Sequence, residues 1–259
     1  MCSSFNFILR NVFFGWITIC SLLYGFNLSY ECSHIKKDYK IYKAILFADK
    51  KCNPCVIKEG STLFVAFGGT RYSKTYDIIQ NTKFNLVSYT KNSKEKVYNG
   101  FIQDWKNVKN EFIMDILYFI EMNQEVDNII FSGHSSGASS ATFAAYDLED
   151  LLDETIDMEI ITFGSPMFCN KEFAIEVEQK IQITRIVNRK DIIPMFPFYI
   201  MGYRHVGDLN HIWNECYIKE FGFNKVMWSN FIGIFYFDGI RDHRAYKYQM
   251  SLFSLPPTP

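Results

Sequence analysis

Short apolar runs rich in β-branched and aromatic residues recur along the chain after residue 60, and polar or small residues separate them. Runs of this length and composition are typical of strands that are buried on both faces of a sheet. They predict strands at Thr62–Phe67, Phe84–Tyr89, Asn128–Phe131, Met158–Phe163 and Ile183–Val187.

Two longer segments between these runs have the spacing of helices. Phe101–Met122 places apolar residues three or four positions apart, and Ser136–Leu148 begins with a series of small residues. The apolar face predicted for the first of these helices consists of Phe101, Trp105, Val108, Phe112, Ile116 and Ile120. Because strands and helices alternate, the pattern predicts a single α/β domain with a mostly parallel central sheet flanked by helices.

The N-terminal segment Val12–Phe26 is apolar and uncharged, and it follows Arg10. It is shorter than the roughly 20 residues that a membrane-spanning helix needs. Its length fits either the apolar part of a secretion signal or anchor, or the first helix of the fold. We therefore separate residues 1–30, a hydrophobic segment, from a domain at 31–255. A signal or anchor would make the protein membrane-associated or secreted, and a core helix would leave it cytoplasmic.

The composition narrows the classes of function. Lysine and arginine together number 27 and aspartate and glutamate 28, and this net charge of −1 offers no basic surface for nucleic acid. Cys52 and Cys55 form a CxxC pair, but a zinc site needs further ligands at matching spacing. We interpret the pair as turn cysteines, with or without a local disulfide, and expect neither a metal nor an organic cofactor.

A G-x-S-x-G motif at Gly133–Gly137 stands between the predicted strand Asn128–Phe131 and the helix that follows. In this context the motif is typical of a sharp strand-to-helix turn that presents a nucleophilic serine, here Ser135, and the glycines give the turn room. Amides at the start of the helix favour developing negative charge. Strand alternation predicts that His134 points away from the serine's side, so we interpret it as structural.

A nucleophilic serine needs a base, and the base needs an acid that orients it. In folds with this turn the chain order is serine, acid, histidine. Asp191 follows a predicted strand and opens a loop with two prolines, where a strand-end carboxylate would project. Of the later histidines His205, His211 and His243, we favour His243 because it lies last, in a loop-like segment; His205 is the alternative.

Together these motifs resemble the fungal-type class 3 lipases, a family of α/β hydrolases, over about residues 40 to 250. The resemblance rests on seven segments in the family's order: Ala66–Thr70, Val97–Phe101, Ile129–Ser140, Ile161–Pro166, Arg185–Pro197, Tyr203–Trp213 and Asp242–Tyr246. In the family, the segment at Tyr203–Trp213 is a hairpin with a structural role. The resemblance implies an α/β-hydrolase fold with Ser135, Asp191 and His243 as catalytic residues.

The resemblance also assigns an oxyanion hole to Thr70 and the backbone N–H of Ser136. It places a lid between Thr70 and Phe84, at Arg71–Asn81. The sequence departs from the family at Gly68, where an arginine is usual, and at Ser136, where leucine is common. The candidate lid has few apolar residues, so we expect weak interfacial activation.

The implied activity is that of a serine carboxylester hydrolase, a lipase that cleaves acylglycerols or related lipid esters through an acyl-enzyme. Its partner would be a lipid ester substrate at a membrane or lipid-droplet surface. The alternative is a catalytically inactive lipid-binding module that keeps the α/β-hydrolase fold. The intact set of Ser135, Asp191 and His243 favours the enzyme.

Overall fold

The computed structural model describes residues 39–49, 54–69, 85–213, 216–219 and 238–253. The interpretations of Val12–Phe26, Cys52, Thr70 and the lid segment Arg71–Asn81 lie outside these residues and stay predictions. Within the described ranges, no helix is both long enough and apolar enough to span a membrane.

The described strands form a central sheet and a separate two-stranded ribbon. They are β1 Cys55–Glu59, β2 Thr62–Phe67, β3 Leu86–Ser88, β4 Lys96–Tyr98, β5 Asn128–His134, β6 Asp157–Phe163, β7 Gln182–Asn188, β8 Asp208–Trp213 and β9 Cys216–Lys219. The central sheet has the order β1-β2-β5-β6-β7-β8-β9, and β3 pairs with β4 in the ribbon. β2, β5, β6, β7 and β8 run parallel, whereas β1 and β9 are antiparallel edge strands. The predicted, mostly parallel sheet is confirmed.

Helices cover both faces of this sheet. They are α1 Tyr39–Ala48, α2 Asn99–Met122, α3 Gly137–Glu149, α4 Lys171–Lys180, α5 Asp238–Asp242 and α6 Ala245–Phe253. One apolar core joins α2, α3 and α4 to the sheet, with Trp105 and Phe143 fully buried in it. A second core joins α1 and α6 to the other face, with Ile45 and Tyr248 fully buried. The site described below lies where both layers meet the carboxyl ends of the parallel strands.

The buried face of α2 differs from the predicted one. Val108 is 44% exposed, whereas Ile102 and Ile113 are buried beside Trp105. Lys109 lies near the centre of the same stripe, and its Nζ is 2.8 Å from Asp147 Oδ1. A polar group can occupy this position because its partner on α3 is a carboxylate, a pairing that apolar spacing does not reveal.

Two further interpretations need correction. Cys55 is a buried residue that begins β1, not a turn cysteine. The segment Tyr203–Trp213 is not itself a hairpin, because β8 at the end of this segment is the one strand in it. β8 pairs in parallel with β7 and makes its antiparallel turn with β9.

Candidate active site

Ser135 stands at the tip of a tight turn between β5 and α3. β5 ends at His134 and α3 begins at Gly137, so two residues complete the change of direction. Ser135 has a φ of 56°, a left-handed conformation that non-glycine residues rarely adopt. Its amide donates to Phe163 O at 2.9 Å, which ties the tip to the end of β6. Such an outlier held by its surroundings is typical of a functional turn.

Glycines give this turn the space that the sequence predicts. A Cβ on Gly133 would collide with the backbone of Gly137, and one on Gly137 would collide with Phe67 O. A third glycine, Gly69, lies on the other side of the turn, where a Cβ would be 2.9 Å from Ser135 Cβ. The connection after β2 therefore approaches the serine turn more closely than a side chain at Gly69 would allow.

His243 lies in the short connection between α5 and α6 and contacts Ser135. Its Nε2 is 2.8 Å from Ser135 Oγ, and its Nδ1 is 2.8 Å from Asp191 Oδ2. A carboxylate only accepts hydrogen bonds, so Nδ1–H donates to Asp191 and Nε2 accepts the serine hydroxyl. The geometry thus fixes the tautomer that can receive the serine proton. Asn188 Nδ2 donates to Asp242 O at 3.1 Å and holds this connection against β7.

Asp191 is fully buried and accepts three hydrogen bonds. Oδ2 accepts from His243 and from the Tyr248 hydroxyl at 2.5 Å, and Oδ1 accepts from Ile193 N at 2.9 Å. A buried carboxylate is costly unless donors of this kind surround it. Burial and the adjacent carboxylate raise the pKa of Tyr248 well above its usual value, so this phenol remains a donor.

His134 packs against the candidate base, although strand alternation suggested a position remote from the serine. Its ring centroid is 4.7 Å from that of His243, with the planes at 31°. Its Nε2–H donates to His243 O at 2.6 Å. Burial, followed by the nearby His243, lowers the pKa of His134 to about 3, so the ring is neutral at ordinary pH. It supports the histidine backbone without adding charge.

Gly164 closes the site from the β6 side, and no motif in the sequence identified it as part of the site. It has a φ of 58°, and a Cβ there would be 2.7 Å from Asp191 Oδ2 and 2.9 Å from His243 Nδ1. The only hint was its position in the strand-turn segment Ile161–Pro166. The sequence also did not identify Tyr248, because an aromatic residue in a helix is usually a packing residue.

The other histidines occupy structural positions. His211 Nε2–H donates to Arg189 O at 2.6 Å, and burial lowers the pKa of this ring. Burial and the nearby Arg185 also hold the pKa of His205 well below its usual value. Of the three histidines considered as bases, His243 is therefore the one that contacts both Ser135 and Asp191.

Ser136 is the residue that caps α3, so its amide lies at the N-terminus of that helix. This end of a helix favours negative charge. Thr70 lies outside the described residues, so its assignment stays a prediction. The described residues contain no group of histidine, cysteine, aspartate and glutamate side chains that could hold a metal ion.

The chain is similar in sequence to proteins of a known family. The family described as lipase (class 3) matches residues 64–201. The chain is 28% identical over 188 residues to a lipase of Rhizomucor miehei, covering 70% of this chain and 51% of that protein. It is 32% identical over 166 residues to a secreted mono- and diacylglycerol lipase of Malassezia globosa, covering 60% of this chain and 52% of the relative. The chain spans about half the length of these curated relatives.

Solved structures have a similar fold. The triacylglyceride lipase of Rhizomucor miehei superposes with a TM-score of 0.58 at 24% identity, covering 67% of this chain and 78% of that one. Lipase II of Rhizopus niveus superposes with a TM-score of 0.53 at 27% identity, covering 59% of this chain and 57% of that one. The family match spans more than half of the 259 residues, and the sheet and serine turn agree with it. This chain therefore belongs to the class 3 lipase family and has the α/β-hydrolase fold.

Proposed function

We propose that the protein is a serine carboxylester hydrolase that cleaves acylglycerols or related lipid esters through an acyl-enzyme. The observation that carries the proposal is the continuous hydrogen-bonded path from Ser135 Oγ through both ring nitrogens of His243 to Asp191 Oδ2. A serine with a histidine acceptor and a carboxylate behind it is the arrangement that activates a hydroxyl for acyl transfer.

In the first half-reaction Ser135 Oγ attacks the ester carbonyl while its proton passes to His243 Nε2. The ring becomes positively charged, and the buried carboxylate of Asp191 stabilises that charge through Nδ1–H. His243 then gives the proton to the departing alcohol, which leaves an acyl group on Ser135. The first transfer runs over the 2.8 Å contact between Ser135 Oγ and His243 Nε2, and the second runs from the same nitrogen to the oxygen of the alcohol.

In the second half-reaction a water molecule takes the place of the alcohol. His243 accepts its proton, the hydroxide attacks the acyl-enzyme, and Ser135 leaves with the proton restored. Both steps place negative charge on the former carbonyl oxygen. We assign the Ser136 backbone N–H and Thr70 as the donors that stabilise it, each contributing roughly 3 kcal/mol to barrier lowering.

The names of the relatives support the proposed substrate class. The Malassezia protein is named a mono- and diacylglycerol lipase, and the Rhizomucor structure a triacylglyceride lipase. Acylglycerols are therefore the first substrates to test, presented at a membrane or lipid-droplet surface. Arg71–Asn81 remains the proposed lid, and residues 1–30 remain either a targeting segment or a first helix.

The alternative, an inactive lipid-binding module, has less support. An inactive relative would have no need to keep a buried carboxylate, since replacing Asp191 would remove a desolvation cost. Here Asp191 keeps its three donors, and Ser135 keeps a left-handed backbone that folding alone does not require.

The test is a panel of p-nitrophenyl and glycerol esters of increasing acyl length, each measured below and above the concentration at which an interface forms. We expect hydrolysis by the native protein and none by Ser135→Ala. A fluorophosphonate probe should label Ser135. The matched control is Ser140→Ala in α3, which should keep activity and labelling.

Two outcomes would overturn the proposal. Labelling of another residue, or activity in Ser135→Ala, would exclude Ser135 as the nucleophile. A folded native protein that hydrolyses no ester but still binds acylglycerol emulsions would favour the inactive module instead.

A further inference from the structure

Four consecutive apolar side chains project from the loop between Asp191 and β8. Phe198 is 47% exposed, Tyr199 42%, Ile200 93% and Met201 44%. We call Phe198–Met201 the apolar tip. Single exposed apolar residues are ordinary on protein surfaces, but a contiguous group of large ones usually marks an interaction site.

The apolar tip lies at the same edge of the sheet as the candidate active site. It belongs to the loop that begins at the carboxyl end of β7 with Asp191, and the carboxyl ends of parallel strands share one edge. The root of the tip is fixed there: Phe196 O accepts from Met167 N at 2.9 Å, in the loop that follows β6. The rings of Phe196 and Phe198 pack with centroids 5.0 Å apart.

Two backbone hydrogen bonds close the apolar tip into a turn. Met201 N donates to Phe198 O at 2.9 Å and Gly202 N donates to Tyr199 O at 3.1 Å, which closes a short 3-10 turn. Gly202 ends the turn with a φ of 86°. Backbone groups that enter a lipid phase must be paired within the protein. The turn meets this requirement for the amides of Met201 and Gly202 while it exposes its apolar side chains.

Positive charge accompanies the tip. The Arg204 guanidinium stacks on the Tyr199 ring at 3.4 Å from its centroid, and Nη1 donates to Tyr199 O at 3.1 Å and Tyr203 O at 2.7 Å. Both of these hydrogen bonds come from Nη1. An aromatic ring beside a cation suits the boundary between acyl chains and headgroups.

Exposed arginines also lie at the edge of the sheet that carries the candidate site. Arg189 follows β7, and Arg241 and Arg244 lie close to His243 in the chain. At the tip itself the charge is that of Arg204, whose guanidinium stacks on the ring of Tyr199. A cation held beside exposed apolar side chains suits a surface that combines acyl chains with phosphates.

We propose that the apolar tip docks the protein on a phospholipid surface, with Ile200 and Phe198 among the acyl chains and Arg204 at the lipid phosphates. The choice of a lipid surface as partner rests on the proposed function. The same contact would bring the carboxyl edge of the sheet, and with it Ser135, to the lipid from which an ester substrate is drawn.

The experiment measures vesicle binding without hydrolysis. The Ser135→Ala protein is floated with vesicles of phosphatidylcholine alone and of phosphatidylcholine with phosphatidylserine, and compared with the same protein carrying Ile200→Asp. Loss of one inserted apolar side chain and addition of a charge should weaken binding by about tenfold or more. Arg204→Gln should reduce the preference for the anionic vesicles, and so should added salt.

The matched control is Met122→Asp, because Met122 is 64% exposed at the end of α2 that precedes β5, on the opposite edge of the sheet. It should leave vesicle binding unchanged. Hydrolysis of a soluble short-chain ester, measured with Ser135 present, should be the same with and without Ile200→Asp and reports that the fold is intact.

The docking proposal and the proposed function fail separately. If Ser135→Ala does not bind vesicles, or Ile200→Asp binds as well as its parent, the tip is not a lipid contact. If Ile200→Asp leaves vesicle binding intact but abolishes self-association, the tip contacts a second copy of the chain. If the protein binds vesicles through Ile200 but hydrolyses no ester, docking stands and the enzyme assignment falls.

Discussion

Gly164 and Asp191 are in direct contact: a methyl group on the glycine would lie 2.7 Å from the carboxylate Oδ2. The same methyl would lie 2.9 Å from His243 Nδ1, so the glycine borders the hydrogen bond between acid and base. Its left-handed backbone, with a φ of 58°, disfavours any side chain in addition.

Gly164→Ala should therefore displace the acid or the base. A misplacement of about 1 Å costs on the order of 100-fold in turnover, and we expect kcat on a soluble ester to fall by about that factor. The control is Gly60→Ala, which has a similar φ of 61° but nothing within 4 Å of the added methyl. Equal losses in both variants would show that backbone strain, not contact with the acid and base, is responsible.

Replacement of the histidines should separate chemistry from structure. His243→Ala removes the acceptor of the serine proton, so kcat should fall by about 10⁴-fold or more with KM little changed. His205→Ala and His211→Ala should lower the denaturation midpoint and leave kcat near its native value. Near-native turnover in His243→Ala would exclude it as the base, and a large kcat loss in His205→Ala would point to the alternative.

Tyr248→Phe tests whether the phenol positions the acid. The variant removes the 2.5 Å hydrogen bond to Asp191 Oδ2 and keeps the ring in its apolar site. We expect kcat to fall by about tenfold with KM unchanged, since a hydrogen bond to a charged group contributes about 1.5–3 kcal/mol. Tyr246→Phe is the control, because Tyr246 lies on the same helix and is 41% exposed. A loss of thermal stability with unchanged kcat would reduce Tyr248 to a packing role.

The buried, neutral His134 predicts a pH dependence of stability. Its pKa is lowered to about 3 in the folded protein, while the unfolded chain has the ordinary value near 6.5. The unfolded state therefore binds the proton first. The contribution of His134 to stability is complete above about pH 6.5 and is lost as the pH falls towards 3, by about 1.4 kcal/mol per pH unit.

Urea denaturation between pH 7 and 4 measures this loss. His134→Gln keeps an N–H donor near His243 O but has no group that titrates, so its stability should decline less steeply with falling pH than that of the native protein. His211 acts in the same direction and continues to contribute in both proteins. Parallel curves for the two proteins would mean that His134 does not bind a proton on unfolding in this range.

Local pattern was enough to predict four strands of the sheet and the serine turn. β2, β5, β6 and β7 contribute apolar residues to the cores on both faces of the sheet, and the turn itself needs the glycines of Gly133–Gly137. These features depend on residues close together in sequence, so the sequence alone contains the information.

The supporting contacts could not be predicted in that way. His134 and His243 are separated by 109 positions, and Tyr248 and Asp191 by 57. Alternation along β5 predicts that His134 points away from the side of Ser135, but it cannot say which distant segment packs on the ring. The prediction that Val108 is buried was wrong for the same reason. The face that α2 buries depends on where α3 lies, and at this contact Asp147 of α3 pairs with Lys109.

The position of His243 in the chain has a consequence for the time at which activity can arise during synthesis. The nucleophile precedes the base by 108 residues, and the base is held by groups from β5, β7 and the loop after β7. Since a nascent chain emerges from its N-terminus, Ser135 and Asp191 can be in place on the ribosome while the proton acceptor is still missing. A partly synthesised chain would carry an idle serine, and the docking of α5 and α6 would be the event that makes it reactive.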